Sequence, residues 1–132
     1  MRFDEEKVRA ATLPARICKA ISAALTEAGD SREHIAARMS DFLGEKVSVN
    51  MLNAYASQAR DHHAIGLQRF IALVHATRDR RLLELLAEQF DWAVIERKHL
   101  PMIELAMVQE RQEELRHRAA TLRQKAKVRG AL

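Results

Sequence analysis

The sequence predicts an all-α protein in which a compact domain of five helices is followed by a long C-terminal helix. Its 132 residues include only 4 glycines and 2 prolines, and aromatic residues make up 5%. The prevailing residues are Ala, Leu, Glu, Arg, Gln and Met, which favour helices. Alternating runs of β-branched residues, which would indicate strands, are absent from the sequence. Apolar residues instead recur at helical spacings, so each helix can bury one face.

The first helix follows a polar N-terminus, residues 1–12, which we predict to be a flexible segment. Pro14 favours a helix start, because proline is tolerated in a first helical turn. Gly29 is a typical C-terminal residue and ends the helix. Its apolar stripe consists of Ile17, Cys18, Ile21, Ala24 and Leu25.

Two shorter helices follow, joined by a tight turn. Ser31 and Gly44 are typical capping residues, and they predict the second helix over about 31–43. Ser48 is the N-cap of the third helix, predicted over 49–59. The predicted buried face of the second helix comprises Ile35, Ala36, Met39, Phe42 and Leu43. The inward-facing residues of the third are Met51, Leu52 and Tyr55.

The fourth and fifth helices complete the predicted domain. The fourth covers residues 67–77, and Asp79 begins the fifth, which extends to Phe90. The segment 91–100 is predicted as a short extended or helical patch that covers the core. Its apolar residues are Trp92, Val94 and Ile95.

A long helix begins at Pro101 and has a seam of residues at alternating three- and four-residue spacing. This spacing is the heptad repeat of coiled coils. Because the outer face of the helix is polar, we predict that the seam joins copies of the chain, with packing back onto the domain as the alternative. The predicted oligomerisation residues are Leu105, Val108, Gln112, Leu115, Ala119 and Leu122.

The chain is therefore divided into a flexible N-terminus over 1–12, a domain over 13–98 and a C-terminal helical segment over 99–132. Its net charge of +4 is compatible with a nucleic-acid partner. Within residues 31–100, ten basic side chains oppose nine acidic ones, whereas six basic and no acidic residues follow Glu114. The C-terminal tail is either a phosphate-binding segment or a solvated helix end.

The second and third helices have the pattern of a helix-turn-helix, whose recognition helix, here at about 48–59, enters the major groove of double-stranded DNA. Amide side chains on its outer face can pair with adenine, and serine, basic and histidine side chains can contact phosphates. Two asparagines in one helix are a poor choice for stability alone, which favours DNA binding. The predicted DNA-binding residues are Lys46, Ser48, Asn50, Asn53, Ser57, Gln58, Arg60, His62 and His63.

Four stretches of the chain resemble, in order and spacing, the phage regulators of the CII-like and lambda-repressor-like helix-turn-helix group: REHIAARMS, GEKVS, MLNAYAS and FIALVHATRDRRLLELLA. More narrowly, residues 13–95 are similar to small DNA-binding proteins of Mu-like transposable phages. The resemblance implies a phage or prophage transcriptional regulator that binds operator DNA as a dimer or tetramer. Gly44 lies eight residues after Ala36, so the first helix of the pair is longer than in compact repressors, or the turn is expanded.

Patterns of catalytic chemistry are absent from the sequence, and we predict a protein that is not an enzyme and uses no cofactor or metal. The serines lie at caps or on helices, and no glycine-rich phosphate loop is present. Adjacent histidines such as His62 and His63 seldom converge on one ion, and a single Cys18 gives no cysteine-rich zinc site. Without an apolar run of roughly 18 residues, we expect no membrane contact and a cytoplasmic location in a bacterial host.

Two other functions remain open. A protein-interaction module, such as a phage-encoded adaptor or inhibitor of a host factor, can use the same helix-turn-helix scaffold, and the charge balance over 31–100 is compatible with it. An architectural role on DNA would instead depend on the basic C-terminal tail, so that deletion of residues 116–132 should abolish binding.

Overall fold

The structure, a computed structural model, describes residues 2–10, 12–57 and 64–131, and the regular secondary structure of these residues is helical, with no strand among them. The all-α prediction is thus confirmed. The chain divides into two compact units, Met1–Val94 and Ile95–Leu132. The helices are α1 (Glu5–Val8), α2 (Leu13–Glu27), α3 (Arg32–Leu43), α4 (Val49–Tyr55), α5 (Leu67–Thr77), α6 (Arg81–Glu88) and α7 (Leu100–Val128), with a 3₁₀ turn at Arg97–His99.

Side-chain caps define where three helices of the first unit, α2, α3 and α4, begin. The hydroxyl oxygens of Thr12, Ser31 and Ser48 accept hydrogen bonds from backbone N–H groups in the first turns of α2, α3 and α4. Each cap satisfies one of the N–H groups that a helix start leaves without an internal partner. At the other end of α3, Gly44 adopts the left-handed conformation with φ 70°, and its N–H donates to the carbonyl of Ser40. These local signals explain why the predicted starts of these helices agree with the structure.

One hydrophobic core holds the first unit together. All five helices from α2 to α6 contribute a side chain that is at most 1% exposed. Burial of such residues is the main stabilising contribution in a domain of this size. The largest of them are Ile21, Ile35, Met39, Leu52, Leu73 and Leu82.

The N-terminal segment, for which the sequence predicts a flexible extension over 1–12, contributes two side chains to this core. Phe3 and Val8 are buried, and the Arg81 guanidinium lies 4.3 Å from the centroid of the Phe3 ring. One carboxylate oxygen of Glu27 lies 2.5 Å from Nζ of Lys7, and the other lies 2.7 Å from Nη2 of Arg81. These partners lower the pKa of the Glu27 carboxyl. The segment is polar in composition, but two of its apolar residues pack into the core.

The segment after α6 does not cover the core, so that prediction is wrong. Phe90 and Trp92 are 64% and 68% exposed, and their rings stack with centroids 5.0 Å apart. Asp91 between them has a positive φ of 59°, which turns the chain after the end of α6. The buried Glu84 then accepts a hydrogen bond of 2.8 Å from the backbone N–H of Val94 and fixes the chain beyond the aromatic pair.

Phe42, which the sequence predicts to face the core, is instead partly exposed, and so are two apolar residues of other helices. Phe42 on α3 and Ile71 on α5 are each 48% exposed, and Leu83 on α6 is 37% exposed. The Phe42 ring stacks on the ring of His75, with centroids 4.5 Å apart. Helical spacing alone places these residues near the buried stripe, but the stripe is narrower than the spacing suggests.

The second unit contains α7, a single helix of 29 residues. At 1.5 Å per residue it is about 43 Å long. None of its residues is buried, including the seam predicted from the heptad spacing. Among the helices that the structure describes, none combines the length and the apolarity of a membrane span.

Candidate nucleic-acid interface

The junction between α3 and α4 is held by the hydroxyl of Ser40. Its Oγ accepts a hydrogen bond of 2.8 Å from the backbone N–H of Val47 and lies 2.8 Å from the carbonyl oxygen of Ala36. The connection formed by residues 44–48 is thereby fixed near its end. With 12 residues, α3 is long, as the position of Gly44 suggests.

The inner face of α4 packs firmly onto the core, as the sequence predicts. Leu52 is fully buried, Tyr55 is 7% exposed, and Met51 packs against the core from a half-buried position. The Tyr55 hydroxyl accepts a hydrogen bond of 3.0 Å from Arg69 on α5. This contact and Glu45, whose carboxylate lies 3.4 Å from Arg69, raise the pKa of the Arg69 guanidinium. The core contacts of α4 and the hydrogen bond from Arg69 on α5 therefore fix the orientation of this helix.

The outer face of α4 consists of two amides. Asn50 and Asn53 are the two exposed residues of this helix, and their spacing places them on the same side. The Oδ1 atom of Asn53 accepts a hydrogen bond of 2.5 Å from Nη1 of Arg32, in the first turn of α3. This bond fixes the amide and brings a guanidinium next to it, so three polar side chains from two helices share one surface.

The remaining predicted DNA-binding residues have different placements. Lys46 is exposed in the connection between the helices. Ser48 uses its hydroxyl oxygen as the N-cap of α4, and it accepts a bond of 3.2 Å from the N–H of Met51. Because α4 ends at Tyr55 and not at residue 59, Ser57 lies beyond the helix and is half-buried. Gln58, Arg60, His62 and His63 lie outside the described residues.

A network around Asp30 positions the start of α3. One carboxylate oxygen of Asp30 accepts from the N–H of Ser31 at 2.9 Å and lies 2.8 Å from Nδ1 of His34, and the other lies 2.6 Å from Nη1 of Arg38. Arg38, above all, and His34 lower the pKa of the Asp30 carboxyl to about 2. Arg38 also donates through Nε to the carbonyl of Ala76 at the end of α5. The network thus ties the first turn of α3, which carries Arg32, to a second helix.

Sequence reasoning missed Arg32 as a member of this surface. Arg32 and Asn53 are 21 positions apart, and no spacing rule relates residues at such a separation. The one available signal is that Arg32 follows the Ser31 cap, so it lies at the start of a helix, next to the beginning of the turn-linked pair. A contact between the first turn of α3 and the middle of α4 requires the tertiary arrangement.

Among the residues that the structure describes, those next to α4 have a nearly balanced charge. The basic side chains of Arg32 and Lys46 are close in sequence to the acidic Glu33 and Glu45, and Glu45 pairs with Arg69. A surface of this kind attracts polyanions weakly, so specific contacts would have to come from the amides and the guanidinium.

The seam predicted to join copies of the chain lies on the surface of α7. Leu105, Val108, Leu115 and Leu122 are 47%, 54%, 48% and 54% exposed. Gln112 is also exposed, and Ala119 is half-buried. Self-association through these residues stays a prediction. Elsewhere in the described part of the chain, no group of three or more His, Cys, Asp or Glu residues is arranged to hold a metal ion.

No protein-family model, curated protein or solved structure matches the chain. The resemblance to phage helix-turn-helix regulators therefore stays a prediction, and the function has to be argued from the residues themselves.

Proposed function

We propose that the protein is a phage-type transcriptional regulator that binds double-stranded DNA sequence-specifically, with α4 as its recognition helix. The observation that carries the proposal is the division of α4 into two faces. Its inner residues are buried or half-buried, and the whole exposed face consists of Asn50 and Asn53. A solvent-facing helix surface made only of asparagine contributes little to helix stability, which favours a role in recognition.

The chemistry of this face suits the edges of base pairs. An asparagine amide presents one acceptor and two N–H donors, and a bidentate contact to N6 and N7 of adenine uses one of each. The Oδ1 atom of Asn53 has a second lone pair besides the one that accepts from Arg32. The Arg32 guanidinium has further N–H groups, which can donate to a phosphate or to guanine. Lys46, in the preceding connection, is suited to a phosphate contact.

The test begins with selection of bound duplexes from a random-sequence pool by the full-length protein. We expect an enriched sequence whose affinity falls steeply between about 50 mM and about 200 mM salt, because phosphate contacts release counterions. Asn53→Ala should lower affinity for this sequence by roughly 5- to 100-fold and relax the preference at one base pair. Lys46→Ala should weaken binding to all duplexes alike.

The matched control is Gln68→Ala, which removes an exposed amide from α5. Thermal unfolding of all three variants should stay close to that of the unmodified protein, because the side chains are exposed. If the pool shows no enrichment, or if Asn53→Ala and Gln68→Ala bind the enriched duplex equally, α4 does not read DNA and the proposal is wrong.

A protein-interaction module is the second candidate function, and a specific observation favours it. The stacked rings of Phe90 and Trp92 are both largely exposed, and aromatic side chains are enriched at protein interfaces. Trp92 is the one tryptophan of the chain, so its fluorescence reports on this site alone. A stoichiometric protein that co-purifies without nucleic acid and shifts this emission to shorter wavelength would favour the module.

A further inference from the structure

The second half of α7 carries a narrow apolar seam that faces solvent. Leu115 and Leu122 are 48% and 54% exposed, and Ala119 and Ala126 lie between and beyond them at the same helical spacing. In heptad terms the alanines occupy the a positions and the leucines the d positions. Helices in proteins are stabilised mainly by the packing of an apolar face, so a seam of this kind is expected to be covered by a partner.

Two rows of basic side chains border this seam. Arg116 and Arg123, seven residues apart, occupy the e positions on one side. Arg118 and Lys125, also seven residues apart, occupy the g positions on the other side. The e and g positions flank the contact in a coiled coil, and their charges decide which partner is accepted.

The charge of these rows is scarcely neutralised within the helix. Arg116 lies 3.6 Å from a carboxylate oxygen of Glu113, an exposed ion pair. Arg118, Arg123 and Lys125 form no ion pair within the part of the chain that the structure describes. No acidic residue follows Glu114 in the sequence. The seam is thus bordered by positive charge along its full length.

A second copy of α7 is a poor occupant of this half. In a parallel pair each g position faces the following e position of the other helix, which brings Arg118 against Arg123 of a second copy. In an antiparallel pair with Leu105 opposite Leu122, g positions face each other. Glu104 then faces Lys125, but Arg111 faces Arg118. Neither arrangement neutralises the basic rows.

DNA and lipid surfaces also fit only part of the pattern. A polyanion can neutralise basic rows, but it offers no apolar counterpart to Leu115 and Leu122 on the face between them. Helices that lie on a membrane usually carry a broad apolar face with aromatic residues, whereas this seam is half alanine and α7 contains no aromatic residue. An occupant must be apolar along its centre and acidic along both edges.

We propose that the second half of α7 docks an acidic amphipathic helix of another protein. The partner helix has apolar residues along its centre and Asp or Glu at the positions on either side. Its apolar residues pack against Leu115, Ala119 and Leu122, and its carboxylates pair with the two basic rows. The docking residues belong to α7 and none of them to α4, so the proposal does not depend on DNA recognition.

The probe is a synthetic four-heptad peptide with leucine at a and d and glutamate at every e and g position. Its own like charges oppose self-pairing. One control peptide has lysine at e and g, and a second keeps the glutamates but has serine at a and d. We expect the full-length protein to bind the leucine–glutamate peptide at least about tenfold more tightly than either control, measured by fluorescence anisotropy. Four exposed ion pairs along the edges of the seam together account for roughly a tenfold difference in affinity.

Variants of the chain separate docking from general attraction between charges. Arg118→Gln with Lys125→Gln removes the g row, whereas His117→Glu with Gln124→Glu changes the net charge equally on the opposite face. The first pair should weaken peptide binding several-fold, and the second should leave it nearly unchanged. Leu115→Ser with Leu122→Ser should abolish it, with helicity followed by circular dichroism.

Three results would overturn the proposal. Equal binding of the leucine–glutamate and serine–glutamate peptides would show a charge effect without docking. An equal loss in the two charge variants, together with loss of duplex binding, would assign the rows to nucleic acid. The seam would be assigned to a second copy if the protein forms a stable dimer that does not bind the acidic peptide and that dissociates when Leu115→Ser and Leu122→Ser are combined.

Discussion

The two units of the chain use similar helical patterns with opposite results. In the first unit, Leu52 and Leu73 lie on periodic apolar stripes and are fully buried. In α7, Leu115 and Leu122 lie on an equally regular stripe, and about half of each side chain is exposed. Periodicity therefore indicates where a helix would bury its face, but it does not indicate whether the burial takes place within the same chain.

The contacts that stabilise the two regions differ accordingly. Helix α3 is held by packing and by long-range hydrogen bonds, such as that from Arg38 to the carbonyl of Ala76. Helix α7 has its own backbone hydrogen bonds and short-range ion pairs, such as Arg111 with Glu114 at 3.1 Å. Pairs of the latter type contribute only about 0.2–0.5 kcal/mol each. The first unit should therefore respond strongly to substitutions, and α7 weakly.

The largest expected effect comes from truncating a core leucine. Leu52→Ala should lower the free energy of unfolding by about 3 kcal/mol, because a fully buried side chain is removed from a packed core. The same change at Leu115 should alter it by no more than about 0.5 kcal/mol, because this residue is exposed. Urea unfolding followed by circular dichroism measures both. Similar losses at the two positions would show that the seam of α7 is buried in the free protein.

A smaller effect is expected from Ser40→Ala. The change removes the acceptor of the buried Val47 N–H at the junction of α3 and α4, at a cost of about 1–2 kcal/mol. Thr121→Ala is the matched control, because the Thr121 hydroxyl donates only to the carbonyl of His117 in its own helix. Urea unfolding of the two variants should separate them by about 1 kcal/mol or more. Equal stability would mean that Ser40 does not fix the connection before α4.

The smallest expected effect depends on pH. The pKa of Asp30 is lowered from 3.8 to about 2 by its bonds to Arg38, His34 and the Ser31 N–H, so its charged form stabilises the folded state. This contribution is complete above the unfolded value and is lost as the pH falls from about 4 to about 2. Asp30→Asn should show a flatter decline in melting temperature over this range than the unmodified protein. Asp41→Asn, at an exposed site that makes none of these contacts, should show the same decline in melting temperature as the unmodified protein.

Much of the fold could be predicted because its signals are local. A cap such as Ser31 or Ser48 acts within its own first turn, and Gly44 ends α3 through its own backbone angle, so each is readable from neighbouring residues. The inward placement of Leu52 and Tyr55 follows from helical spacing. For the same reason Asn50 and Asn53 could be assigned to the outer face of α4.

The remainder depends on contacts between distant parts of the chain. Phe3 is buried beneath Arg81, which is far away in the sequence. The polar composition of residues 1–12 gives no indication of this contact. Phe42 and Trp92 are exposed although their patterns suggest burial, and each stacks on another ring at the surface. Arg32 joins the α4 face through a contact across 21 positions. The order of residues does not encode such pairings in any regular spacing.

The exposed length of α7 has a consequence for proteolysis and amide exchange. An amide in the core of the first unit exchanges its hydrogen mainly through global unfolding, whereas the amides of a helix without buried residues exchange through local opening. The basic residues between Arg111 and Arg129 also make this helix a dense series of trypsin sites. Limited digestion should therefore shorten the chain stepwise from its C-terminal helix, while the first unit stays intact. A bound partner helix would appear as protection of those sites.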